Sequence, residues 1–217
     1  DSALLLDRIM PLELLRERVT ALREAGCYPP AGSPVLVLQG CDLLVPHVAA
    51  AAGAAERWRA AHPQGEVVIV ETGRCRGDGL FAAALDAALR PLPVWRLPEA
   101  VTVEDLAAAI TAGDLFVGSS LHGAITALVH GRPFVLLKLF DEAKLDGFGD
   151  VTGLGRRVVD AARDIPEALD AAMAGGGADP ALLAGLQARI DAHFDRLADM
   201  ARRQAARSSR RRWRLRG

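Results

Sequence analysis

The segment Gly118-Ser119-Ser120-Leu121-His122-Gly123 joins two hydroxyls, an imidazole and two glycines where an apolar run, Leu115 to Gly118, gives way to an Ala/Leu-rich one. A strand that ends at Gly118 and a helix that begins near Leu121 would leave the first backbone N–H groups of that helix without intrahelical acceptors. Such a helix start attracts phosphate or carboxylate oxygens, with Ser119, Ser120, Leu121 and Gly123 around the ligand. His122, in the first turn, would then stand where an imidazole transfers a proton to the bound anion. The plainer alternative is a serine N-cap beside a surface histidine.

Other candidates cluster after other strands. Gln39-Gly40-Cys41-Asp42 follows Val35 to Leu38, so Gln39 is expected to face a ligand and Gly40 to permit its close approach. Cys41 has no base beside it in sequence and is not read as a nucleophile. The loop Gly73-Arg74-Cys75-Arg76-Gly77-Asp78-Gly79 offers Arg74 and Arg76 as anion partners, or is simply a charged turn. Its glycines lack the Gly-x-Gly-x-x-Gly spacing of a dinucleotide fingerprint. Lys144 is either a ligand cation or a solvated loop lysine. His47, His62, His130 and His193 show no metal-ligand spacing, so no metal is expected.

These candidates need a scaffold that brings strand ends together. Short apolar runs alternate with longer Ala/Leu segments, the grammar of βα units and a parallel sheet. Strands are expected at Val35 to Gln39, Glu66 to Glu71, Pro93 to Leu97, Leu115 to Gly118 and Pro133 to Leu137, with a short further candidate at Arg157 to Val159. Helices are expected near residues 12–25, 46–61, 80–89, 103–112, 121–130 and 165–173. The fold class is α/β: a doubly wound, Rossmann-like parallel sheet of about five strands in order 3-2-1-4-5, with flanking helices and a long C-terminal helix. In such a sheet ligands sit beyond the carboxyl ends of the strands, where the loops after Gln39 and Gly118 meet.

The chain divides into a linker and amphipathic helix (1–32), the α/β domain (33–174), a hinge with the C-terminal helix (175–207) and a basic tail (208–217). Gly175-Gly176-Gly177 reads as the hinge. The helix after it carries Leu183, Leu186, Ile190, Phe194, Leu197 and Met200 as one stripe, which calls for another domain or a second copy to cover it. The Arg-rich tail reads as a disordered end that meets an anionic membrane surface or an anionic polymer, or only aids solubility.

With 217 residues, 51% hydrophobic, and a formal charge of −1, the chain can bury a full core and lacks the cationic surplus of a nucleic-acid coat. Three scattered cysteines suggest neither a disulfide framework nor a zinc site and fit a reducing cytoplasm. No apolar run is long enough to span a bilayer and no signal peptide is expected. The start at Asp1, without Met, reads as a boundary within a longer chain.

Taken in order, Gly118-Ser-Ser-Leu-His-Gly-Ala-Ile-Thr-Ala-Leu128, Gly131-Arg-Pro-Phe-Val135, Phe140-Asp-Glu-Ala-Lys144 and Gly153-Leu154 resemble the carboxy-terminal signature of polysaccharide pyruvyl transferases. Asp1-Ser-Ala-Leu-Leu-Leu6 also resembles the Asp-Pro-Ala-Leu-Leu segment that links the two domains of that family. The resemblance implies one half of a GT-B-like fold and a bacterial enzyme of cell-surface glycan (exopolysaccharide) assembly. It implies transfer of pyruvate from phosphoenolpyruvate to two hydroxyls of a saccharide or lipid-linked saccharide, as a ketal, with no cofactor. His122 is then the proton-transfer residue and Lys144 the family's lysine after the fifth strand. Many members carry Arg two residues before the His, where this chain has Ser120. The alternatives are a GT-B glycosyltransferase domain for nucleotide sugars and a non-catalytic piece without its N-terminal domain. The location implied is cytoplasmic, at the inner face of the membrane if the tail binds there.

Overall fold

The structure, a computed structural model, describes residues 1–98, 100–139 and 142–214, leaving aside the side chains of Arg74 and of 206–214. Phe140 and Asp141 of the Phe-Asp-Glu-Ala-Lys motif therefore lie outside the described residues.

Six parallel strands, β1 (Val35–Leu38), β2 (Glu66–Ile69), β3 (Trp95–Arg96), β4 (Leu115–Gly118), β5 (Phe134–Leu137) and β6 (Val158–Val159), form one sheet in the order β3-β2-β1-β4-β5-β6. The apolar runs dictate this burial. Val35, Leu36, Val37 and Leu38 are all shielded because alternate side chains leave on opposite faces and helices cover both. Val35, Val37, Val68, Phe116 and Phe134 enter one core with α2 (Leu12–Glu24), α5 (Val103–Ala112), α6 (Leu121–Val129) and α7 (Ala143–Thr152). Leu36, Leu38, Val67, Val117 and Val135 enter the other with α3 (Val48–Ala61), α4 (Asp78–Leu89) and α8 (Ile165–Gly175). The chain reverses its direction of winding between β1 and β4, which pair from Leu36↔Leu115 to Leu38↔Val117. That is the crevice of an open α/β sheet.

The short strand candidate at Arg157 to Val159 becomes β6, in which Val158 and Val159 pair with Leu136 and Leu137. Two features differ from the sequence expectation. Residues 143–152 are helical, although Gly147 and Gly149 obscure the period; Leu145, Phe148 and Thr152 bury one face, and Gly153, at φ 69°, closes the helix. The Gly175-Gly176-Gly177 segment is seated rather than free. Arg157 Nη2 donates to the Gly176 carbonyl at 2.8 Å, and a Cβ at Gly177 would collide with the backbone of Gly131.

The long helix α9 (Pro180–Arg214) continues into the basic tail, which the sequence reads as disordered. Its first turns pack on residues 1–10, which contain the turn Ser2–Leu5 and the four-residue helix α1 (Leu6–Ile9). Arg8 forks onto both carboxylate oxygens of Asp191 at 2.7 and 2.9 Å, and Gln187 Nε2 donates to the Leu4 carbonyl and Asp7 Oδ1, each at 2.9 Å. Leu186 is buried, whereas Phe194, Leu197 and Met200 are 49%, 45% and 66% exposed. Half of the apolar stripe is thus used within the chain. Among the described residues no helix is long and apolar enough to cross a membrane.

Candidate functional site

The strand ends bring together residues that lie far apart in sequence. A cavity of about 270 Å³ is lined by Gln39 and Cys41 after β1, Thr72, Gly73, Arg76 and Asp78 after β2, and Ser119, Ser120, Leu121 and His122 after β4. Glu142 and Lys144, at the start of α7, and Asp1 complete the wall. Of the residues singled out from sequence, Gln39, Arg76, Ser119, Ser120, Leu121, His122 and Lys144 meet here. Gly40 and Gly123 do not line it, and the Arg74 side chain lies outside the described residues.

The floor of the cavity is a closed hydrogen-bond network. Gln39, buried after β1, accepts at Oε1 from the backbone N–H of Ser119 (3.0 Å) and Ser120 (2.8 Å). Its Nε2 donates to Asp78 Oδ2 at 3.0 Å. Asp78 is itself only 2% exposed and also accepts from the Thr72 amide (2.8 Å), the Gly73 amide (2.9 Å) and the Thr72 hydroxyl (3.3 Å). Four donors thus converge on one oxygen of the buried Asp78 carboxylate, which satisfies a polar group that burial would otherwise leave costly. The network locks the ends of β1, β2 and β4 to one another.

Three residues expected at the ligand make contacts within the protein. The carboxamide of Gln39 is hydrogen-bonded through both its oxygen and its nitrogen and braces the loops around it. Gly40 permits a close approach by protein, since an added Cβ would stand 2.6 Å from the Phe81 ring. Gly123 does the same against Phe116, at 2.5 Å, and its amide donates to the Ser120 side-chain oxygen at 3.2 Å. Ser120 is therefore the N-cap of α6. The Leu121 and His122 amides, next in the first turn, remain as the helix groups without an intrahelical acceptor.

The rim is charged. Lys144 stands in the first turn of α7, not in a loop, with Nζ 3.4 Å from Glu142 Oε2. Arg76 Nη2 lies 4.0 Å from the same carboxylate oxygen. Two cations thus share one acid. The His122 side chain is 73% exposed, and its Nε2 lies 3.3 Å from Asp1 Oδ2. Cys41 is a buried thiol, 3.8 Å from the Ser119 hydroxyl, which donates to it. Asp78, Glu142 and Asp1 escaped the sequence reading. Only the Asp78 position after a glycine, at the start of a helix, gave a signal for an acid that would accept backbone bonds.

A cavity with an imidazole, an ammonium and a guanidinium around two open helix amides suits a small polyanion and a proton transfer.

Among solved structures the chain is similar to the N-terminal domain of trehalose-6-phosphate phosphatase from Candida albicans, at 18% identity and TM-score 0.43, over 71% of this chain and 37% of that one. It is also similar to an O-GlcNAc transferase of Thermobaculum terrenum (22%, TM-score 0.44, 74% of this chain and 33% of that one). A third is WaaG, a glycosyltransferase involved in lipopolysaccharide biosynthesis (13%, TM-score 0.43, 72% and 42%). The chain spans between 33% and 42% of the length of these three structures. No curated protein matches it. Residues 63–139, which run from the approach to β2 past the end of β5 and contain the Ser-Ser-Leu-His-Gly turn, match the family model for polysaccharide pyruvyl transferase.

Proposed function

We propose that the chain is the donor-binding half of a transferase that moves pyruvate from phosphoenolpyruvate to a sugar of a cell-surface glycan. One observation carries the reading: the segment that matches the pyruvyl transferase model supplies His122, and the fold sets His122 in one cavity with Arg76 and Lys144. A ligand with a carboxylate and a phosphate needs two cationic or amide anchors. Arg76, from the loop after β2, offers the guanidinium that many family members carry at the position of Ser120.

In the proposed reaction His122 delivers a proton to the methylene carbon of the donor, which becomes a methyl group. The two acceptor hydroxyl oxygens bond to the adjacent carbon, and its bond to the phosphate oxygen breaks. Of the two protons released, one returns to His122 and one leaves with inorganic phosphate. Arg76, Lys144 and the open amides of α6 hold the carboxylate and phosphate charges throughout. The acceptor is a saccharide or a lipid-linked saccharide, on the open side of the cavity. The exposed residues Phe194, Leu197 and Met200 are the surface we assign to a further domain or a second copy.

Calorimetry on the full-length protein tests the donor. Saturable binding of phosphoenolpyruvate, abolished or much weakened in Lys144→Ala, is the expected result. Saturable binding of a UDP- or GDP-sugar without binding of phosphoenolpyruvate would replace this reading with a nucleotide-sugar glycosyltransferase.

A further inference from the structure

Among the described residues Asp1 is the one acid in the wall that faces the imidazole, and its placement is determined twice over. One carboxylate oxygen, Oδ1, accepts from the Ala3 amide at 2.8 Å and so caps the turn Ser2–Leu5. The other, Oδ2, is turned to His122 Nε2 at 3.3 Å. The turn itself cannot swing away. Leu4 is buried, its carbonyl is held by Gln187, and the Met10 carbonyl lies 3.0 Å from His130 Nε2 at the far end of α6. The N-terminal segment is therefore fastened along the same helix that presents His122. Glu142, the other acid of the rim, is engaged by Lys144 and Arg76, and Asp78 by four donors of the floor. Among the described residues the imidazole has no other charged partner within 4.0 Å.

We infer that Asp1 is a positioning residue for His122: its carboxylate fixes the ring with Nε2 turned inward to Asp1 and leaves Nδ1 as the nitrogen that exchanges protons with the ligand. This inference rests on the proton-transfer role proposed for His122. A freely rotating exposed histidine would present either nitrogen, whereas a ring held by a carboxylate presents one, as in the His–Asp pairs of proton-transfer sites. Asp1 touches no reacting atom in this arrangement.

Three replacements in the full-length protein separate positioning from capping. Asp1→Asn keeps the shape and removes the charge, Asp1→Ser keeps a good cap of the turn without a carboxylate, and Asp1→Glu keeps the carboxylate on a longer stem. Asp1→Asn and Asp1→Ser are expected to lower kcat by roughly 10- to 100-fold, less than the roughly 10⁴-fold lost with the buried aspartate of a Ser-His-Asp triad, because Asp1 is partly exposed. Affinity for phosphoenolpyruvate by calorimetry should stay within about threefold of wild type, as for loss of an exposed pair. Asp1→Glu should recover part of kcat, and Asp1→Asn added to His122→Ala should cause no further loss. Wild-type kcat in Asp1→Ser would show that the residue only caps the turn and would overturn the inference. Loss of kcat in His122→Ala with wild-type values in every Asp1 variant would overturn it too, while leaving the donor reading intact. Wild-type kcat in His122→Ala itself would overturn both.

Discussion

Replacing Gln39 by leucine tests whether the floor of the cavity is a structural brace. The change conserves volume but deletes one acceptor and one donor from a buried network. The Ser119 amide, whose residue is 8% exposed, loses its acceptor, at a cost of about 1–3 kcal/mol for an unsatisfied buried group. Ser120 is half-buried, and water entering from the cavity can satisfy its amide. Asp78 keeps three of its four donors but loses a bond to a charged acceptor, about 1.5–3 kcal/mol. Burying the apolar leucine returns about 1–2 kcal/mol. The net cost is about 3 kcal/mol, which for a domain of this size lowers Tm by about 6–12 °C. Thermal unfolding followed by circular dichroism measures it. A Tm within about 2 °C of wild type would refute the reasoning, because the three strand ends would then be held without Gln39.

Three further outcomes follow from the same geometry. His122→Ala removes a side chain that is 73% exposed, so its Tm should change by no more than about 1–2 °C, while kcat falls on the order of 10²- to 10⁴-fold; a rate loss matched by a large drop in Tm would argue for a folding role. Glu142→Gln frees Lys144 and Arg76 from their shared acid and should tighten phosphoenolpyruvate binding by about 3- to 10-fold in calorimetry, whereas weaker binding would mean that Glu142 holds the cations in place. The hydrogen bond from Arg8, with its charge, holds the Asp191 carboxyl below its ordinary 3.8, so the bridge stabilises fully above that value and is lost as pH falls through the lowered native one; the urea midpoint of Asp191→Asn should lie below wild type at pH 7, and the gap should close at the acid end.

Much of the scaffold was legible because it depends on local patterns. Val35 to Leu38, Glu66 to Ile69 and Leu115 to Gly118 are short apolar runs between helical periods, and the right-handed crossover rule then fixes the strand order. What escaped depends on context. Residues 143–152 contain Gly147 and Gly149, which lower helix propensity, and the helix forms because Leu145 and Phe148 find a core beside β5. Arg157 to Val159 gave only a short strand candidate, which becomes β6 because the edge of β5 offers it a ladder. The seating of Gly177 against Gly131 rests on a contact between distant segments, to which composition is blind.

The site divides along the same line. The Ser-Ser-Leu-His turn was legible because strand-turn-helix grammar and the family motif coincide at residues 118–123. The partner of each polar group was not, since Gln39 finds Asp78 and the Ser119 and Ser120 amides across three separate loops. A glutamine that ends a strand on the working edge of the sheet looks the same in sequence whether it faces a ligand or a neighbouring loop. In the structure Gln39 is 3% exposed with its oxygen and nitrogen both engaged within the protein, and His122 is open. The floor therefore engages its polar groups in holding the crevice in shape, while the imidazole, the ammonium and the guanidinium stand at its rim.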